Sequence, residues 1–165
     1  MNVLIVDNDT SVRESLAKVL KGAGYQVTQA ANGLEALEQF ENTRVDLLLL
    51  DIGLPIRSGW EAFEQITHLN PVLPIIIITG QNDQFDQAVA AGAGAFMEKP
   101  LDAPTLLETI AELLTESKQA RLRRVCGYSK DTRYVPATSR LFIQNLRERY
   151  AVARRMACSN GWIVR

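Results

Sequence analysis

Four apolar runs of the chain end in polar residues whose types could do chemistry together. "NVLIVD" (residues 2–7) closes on Asp7 and continues into Asn8 and Asp9. "VDLLLLD" (45–51) closes on Asp51, "PIIIIT" (74–79) on Thr79, and "GAFME" (94–98) leads into Lys99. Taken singly, each is what any strand exit carries, a solvated loop residue or a helix cap. If the runs are parallel strands, however, their ends share one edge of a sheet. Up to three carboxylates, an amide, a hydroxyl and an amine then converge. Clustered carboxylates repel one another unless something cationic lies between them, and hard oxygen donors in such a set suit Mg²⁺.

The elements that must hold these residues are legible as an alternation. Ser11 and Glu14 form a capping-box pattern for a helix carrying Val12, Leu16, Val19 and Leu20, which Gly22 and Gly24 stop. "YQVTQA" (25–30) reads as a strand. Asn32-Gly33 opens a short helix with Leu34, Leu37 and Phe40 on one face. Ser58 and Glu61 make a second capping-box pattern before Trp60, Phe63 and Ile66. Asp83 is the expected cap of a helix that Gly92 ends, and Asp102 opens a last helix bearing Leu106, Leu107, Ile110, Leu113 and Leu114. Strand and helix alternate five times. The third and fourth strands are apolar at almost every position, as strands covered on both faces must be. The expected architecture is a doubly wound α/β sandwich, and in such folds ligands bind beyond the carboxyl ends of the strands.

With those residues in view, the chain closely resembles the receiver domain of two-component response regulators. The resemblance rests on "LIVDND…R" (4–13), "LLLLDIGLPIRSG" (47–59), "IIIITG" (75–80) and "FMEKP" (96–100), and covers residues 1 to about 118. It implies a flavodoxin-like five-stranded parallel sheet of order 2-1-3-4-5, phosphorylated on an aspartate by a sensor histidine kinase. Matched residue by residue, Asp51 is the phosphoacceptor, and Asp7, Asn8, Asp51 and the Gly53 carbonyl hold Mg²⁺. Lys99 pairs with a phosphoryl oxygen, Thr79 moves to contact another, and Gly80 leaves access. Phe96 stands at the aromatic switch position, and Lys99-Pro100 matches a cis peptide. Asn8 departs from the family's acidic residue: an amide oxygen still ligates Mg²⁺ but brings no charge. The implied output surface is the face of helix four, strand five and helix five, through which receivers dimerise or dock partners.

A rival of another class reads "VDNDTS" (6–11) as the first motif of haloacid-dehalogenase-type Mg²⁺ phosphatases, with Asp7 as nucleophile and Asp9 as acid/base. Ser11 does not fit that motif, the length leaves no room for a cap, and Asp51 would go unexplained.

Charge divides the chain. Residues 1–115 hold 6 Lys/Arg against 16 Asp/Glu, whereas residues 116–165 hold 12 against 3. A boundary is therefore expected near residue 116, with a receiver over 1–118 and a basic extension over 119–165. The first part of the extension reads as a helix continuation running into a linker, and residues 139–159 as one amphipathic helix. Its arginines and aromatics suit nucleic acid, docking on the acidic domain or a protein partner, or an extension without a fixed role; the residues leave these open. The N-terminus has no signal-peptide pattern and no apolar run spans a bilayer, so a cytoplasmic protein without membrane attachment is expected. Cys126 and Cys158 read as two reduced thiols, His68 as a surface residue, and Trp60 as half-buried or core.

Overall fold

A computed structural model describes residues 1–55, 58–80, 83–128 and 131–137. Its elements are β1 (Asn2–Val6), α1 (Thr10–Gly22), β2 (Gln26–Ala30), α2 (Gly33–Asn42), β3 (Leu47–Asp51) and α3 (Gly59–Leu69). They continue as β4 (Ile75–Thr79), α4 (Phe85–Ala91), β5 (Ala95–Glu98), α5 (Ala103–Thr115), α6 (Lys118–Val125) and β6 (Arg133–Val135). The strands form one sheet of order β2-β1-β3-β4-β5-β6, parallel throughout. The expected doubly wound order 2-1-3-4-5 is present.

The continuous apolar runs have the predicted cause. Leu47–Asp51 and Ile75–Thr79 are buried at every position because both faces of the sheet are covered. Alternate residues feed two cores. Leu48, Leu50, Ile75 and Ile77 join Leu37, Phe63 and Ile66 under α2 and α3. Leu47, Leu49, Ile76 and Ile78 join Leu16, Leu20, Leu106 and Ile110 under α1 and α5. β2 is an edge strand and only partly buried, which explains its looser pattern.

Several local expectations are corrected. The cap of α1 is Asp9, whose carboxylate accepts from the Ser11 and Val12 amides, so Ser11 lies inside the first turn. α4 starts at Phe85 behind Gln84, with no side-chain cap, rather than from Asp83. Leu34 is exposed, so the buried face of α2 centres on Ala36 and Leu37. Asn32, Ser58 and Asp102 do cap their helices, and Gly92 ends α4 at φ 79°.

The largest difference is β6. The stretch expected as a linker turns back after α6 and adds a sixth strand beside β5, pairing Ala95, Phe96 and Met97 with Arg133, Tyr134 and Val135. Arg124 anchors the intervening helix by a bidentate pair to Glu116 at 2.7 and 2.6 Å. The sheet thus extends past the charge boundary. The amphipathic helix expected over 139–159, and Cys158, lie outside the described residues.

Candidate functional site

The carboxyl ends of β1, β3, β4 and β5 bring the predicted residues to one edge. The Lys99 Nζ sits between two carboxylates, 2.7 Å from Asp7 Oδ2 and 2.5 Å from Asp51 Oδ2. Both acids are buried, at 1% and 6% exposure, while Lys99 stays partly open to solvent. That placement is permissible because the lysine lies between them; two unpaired carboxylates at this depth would repel each other with little water to screen them. Burial opposes the Lys99 charge and is the largest single influence on it. The hydrogen bonds and charges of Asp51 and Asp7 together nevertheless hold its pKa above the ordinary lysine value.

Each carboxylate is aimed by backbone. Asp7 Oδ1 accepts from the Asp9 amide at 2.9 Å, and Asp51 Oδ1 from the Gly53 amide at 2.8 Å. Arg13, reaching back from α1, donates to the Asp7 carbonyl at 2.7 Å and ties the helix to the loop after β1. Lys99 leaves β5 through its own amide, which donates to the Thr79 carbonyl at 2.8 Å, and the Lys99-Pro100 peptide is cis. Thr79 is buried at the end of β4, beside Glu98 in register. Asn8 and Asp9 are exposed in the β1–α1 loop, and Gly80 is exposed after β4. Phe96 is fully buried one turn of pleat before Glu98.

Two features were not singled out from the sequence. Gly59, the first residue of α3, has no space for a side chain: a Cβ there would lie 2.3 Å from Ile52 Cα and 2.5 Å from the Asp51 carbonyl oxygen. The helix therefore rests directly on the backbone that carries Asp51. The glycine inside the motif "IRSG" was the available signal. The second is Tyr134, whose ring stacks on Phe96 (centroids 6.1 Å apart) and meets Phe85 edge-on at 5.0 Å. A three-residue strand is too short to leave a period in the sequence.

The donor set fits the chemistry Mg²⁺ takes: Asp7, Asp51, Asn8 and a main-chain carbonyl offer hard oxygen donors, and Mg²⁺ is ordinarily held by one or two carboxylates with several retained waters. Among the described residues no group of three or more His, Cys, Asp or Glu side chains is arranged as a metal cluster. Asp9 is directed to the helix cap, leaving two carboxylates, and the neutral Asn8 adds no third charge. This assignment also takes from the phosphatase alternative the residue that would be its acid/base.

The parallel sheet with a lysine-bridged acid pair at its carboxyl edge is the arrangement expected of a signalling receiver domain. Residues 3–111 match the response regulator receiver domain, and the chain belongs to that family. Chemotaxis protein CheY of Halobacterium salinarum is 35% identical over 115 residues, 68% of this chain and 96% of that protein. Transcriptional regulatory protein ZraR of Klebsiella oxytoca is 36% identical over 120 residues. DNA-binding transcriptional regulator NtrC of Escherichia coli is 37% identical over 135. The chain spans only 27% of ZraR and 29% of NtrC. A crystal structure of a CheY-like receiver from Methanospirillum hungatei superimposes with a TM-score of 0.67 at 36% identity, over 72% of this chain and 96% of the other.

Proposed function

We propose that the protein is the phosphoacceptor of a two-component relay, phosphorylated on Asp51 by a sensor histidine kinase with Mg²⁺. The observation that carries this reading is the Asp7–Lys99–Asp51 triad, in which a single ammonium pairs with both the nucleophile and its neighbour and leaves a net negative charge for a metal cation to offset.

An Asp51 oxygen attacks the donor phosphorus, a P–O bond forms, and the bond from phosphorus to the donor breaks. The Gly53 amide fixes the carboxylate rotamer for that approach. Bound through Asp7, Asn8, Asp51 and the Gly53 carbonyl, Mg²⁺ would supply charge neutralisation for the phosphoryl oxygens. Lys99 then exchanges a carboxylate partner for a phosphoryl oxygen, and the Thr79 hydroxyl approaches another. The phosphoryl group carries about 1.5–2 negative charges, and since the carboxylate's own charge is consumed in the acyl phosphate the net gain at the site is about 0.5–1. Movement of Thr79 and Phe96 would pass the change to the α4–β5–α5 side of the sheet, the face through which a homodimer would form. The catalytic roles belong to self-modification alone. Relatives named as transcriptional regulators, together with the arginine-rich extension, support a transcriptional output in the cytoplasm, with nucleic acid or a protein as the final partner. Among the described residues no helix is long and apolar enough to cross a membrane.

The test is acetyl phosphate with Mg²⁺, followed by mass mapping of the acyl phosphate. Labelling at Asp51, abolished by Asp51→Asn, is expected. Labelling at Asp7 that persists in Asp51→Asn would replace this reading with the phosphatase one.

A further inference from the structure

Residues 131–137 lie along the β5 edge of the sheet, and the bonds they make are those of a ligand laid on that edge. The Thr132 hydroxyl donates to the Ala93 carbonyl at 2.9 Å, and the Arg133 amide to the Gly94 carbonyl at 3.1 Å. Side chains then alternate between two faces. Arg133 turns towards α5, where its guanidinium pairs with Glu108 at 3.0 Å and with Glu112. Tyr134 turns the other way, onto the aromatic socket of Phe85 and Phe96. Val135 returns to the α5 side and is buried. This is strand addition: main-chain bonds hold the segment, and alternate pockets read its side chains. Tyr134 remains 42% exposed, so the segment covers the socket without being enclosed by it.

The socket is wired to the triad. Glu98 is 5% exposed, and its carboxylate accepts from the Tyr134 hydroxyl at 2.5 Å and from the Ala137 amide at 3.2 Å. The next residue is Lys99, and Glu98 stands in register with Thr79. A phosphoryl group on Asp51 would add negative charge at the end of β3, two strands from the β5 that carries this buried carboxylate. It would draw on Lys99, the residue after Glu98, and on Thr79, beside Glu98 in register. Both shifts pull on the backbone that positions the carboxylate holding Tyr134 and Ala137.

We propose that the β5 edge is a strand-docking site for an extended Arg-aromatic-β-branched segment, that residues 131–137 fill it in cis, and that a phosphoryl group at Asp51 loosens them. The last clause rests on the phosphoacceptor reading above. In this arrangement the unmodified protein covers its own α4–β5–α5 face and uncovers it when switched.

The experiment is amide exchange on the full chain, read at Arg133 and Ala137. Protection of at least tenfold over a free peptide of residues 131–137 is expected, and Tyr134→Ala should remove it without changing the amides of β1 and β3. Adding the wild-type peptide to the Tyr134→Ala chain should restore the resonances of Phe96 and Glu98 saturably. Free-peptide exchange in the unmodified chain, or a peptide that never binds the variant, overturns the docking site. Beryllofluoride with Mg²⁺ then serves as the phosphoryl mimic, its fluorine signal reporting occupancy of Asp51. A tenfold loss of protection on binding supports release, and bound mimic with unchanged protection overturns it. No fluorine signal at Asp51 brings down the phosphoacceptor reading and release with it, while the docking site is judged by the Tyr134 and peptide results.

Discussion

Gly59→Ala is the sharpest test of how the fold positions Asp51. The new methyl would meet two backbone atoms at 2.3 and 2.5 Å, Ile52 Cα and the Asp51 carbonyl oxygen. Ordinary contact lies near 3.5–4 Å, so α3 and the loop after β3 must separate by roughly 1 Å. Neither side is a flexible side chain that can swing away. Overpacking of this kind costs about 1–3 kcal/mol, occasionally more. The opposing gain, alanine over glycine in a helix, is at most about 1 kcal/mol and smaller in a first turn. A net loss of about 1–3 kcal/mol is expected, read as a lower urea midpoint at constant m. Gly22→Ala is the internal control. Gly22 also ends a helix, but nothing lies within 4 Å of its would-be Cβ and its φ is not positive. There the same substitution should be neutral or stabilising by up to about 1 kcal/mol. Equal effects at the two glycines would refute the claim that α3 rests on the backbone that carries Asp51.

Three further outcomes are expected. Asp9→Ala removes the cap of α1 and should lower stability by about 1 kcal/mol, whereas Asp9→Ser should retain most of it; acetyl phosphate labelling of either variant tells whether the pocket also needs that charge. Because the Lys99 pKa is raised in the folded protein, its pairing contributes stability that is complete below the ordinary lysine value near 10.5 and disappears as pH rises through the higher folded value. A denaturation series across that alkaline window should show the decline in the wild type and a shallower one in Lys99→Met. Arg124→Ala leaves Glu116 without its bidentate partner. Glu116 keeps some solvent contact, so a loss of about 1–3 kcal/mol is expected, below the 3–5 of a fully buried pair; calorimetry measures it, and amide exchange in α6 should rise with it.

What the sequence determined by itself was whatever depends on local pattern. Runs such as Leu47–Leu50 and Ile75–Ile78 can only be strands covered on both sides, and their alternation with helices leaves a parallel sheet as the consistent solution. That topology was enough to bring Asp7, Asp51, Thr79 and Lys99 to one edge before any contact was known. Helix caps were less legible. The residue order pointed to Ser11, and only the loop geometry after β1 gives the cap to Asp9. Asp83 failed for the same reason, since α4 begins one residue beyond Gln84.

The tertiary structure alone decided the rest, because long-range partners leave no period in a chain. That Lys99 bridges two acids 92 and 48 residues away is a matter of closure. So is the empty space that Gly59 must preserve against Ile52. Arg133-Tyr134-Val135 is too short to announce a strand and sits in a segment whose charge set it apart from the acidic receiver. Charge, however, is a statement about solvation and long-range attraction, not about where a domain ends. The free edge of β5, the Phe85–Phe96 socket and the Glu108–Glu112 pair were what the basic segment fitted, and none of them exists until the sheet has formed.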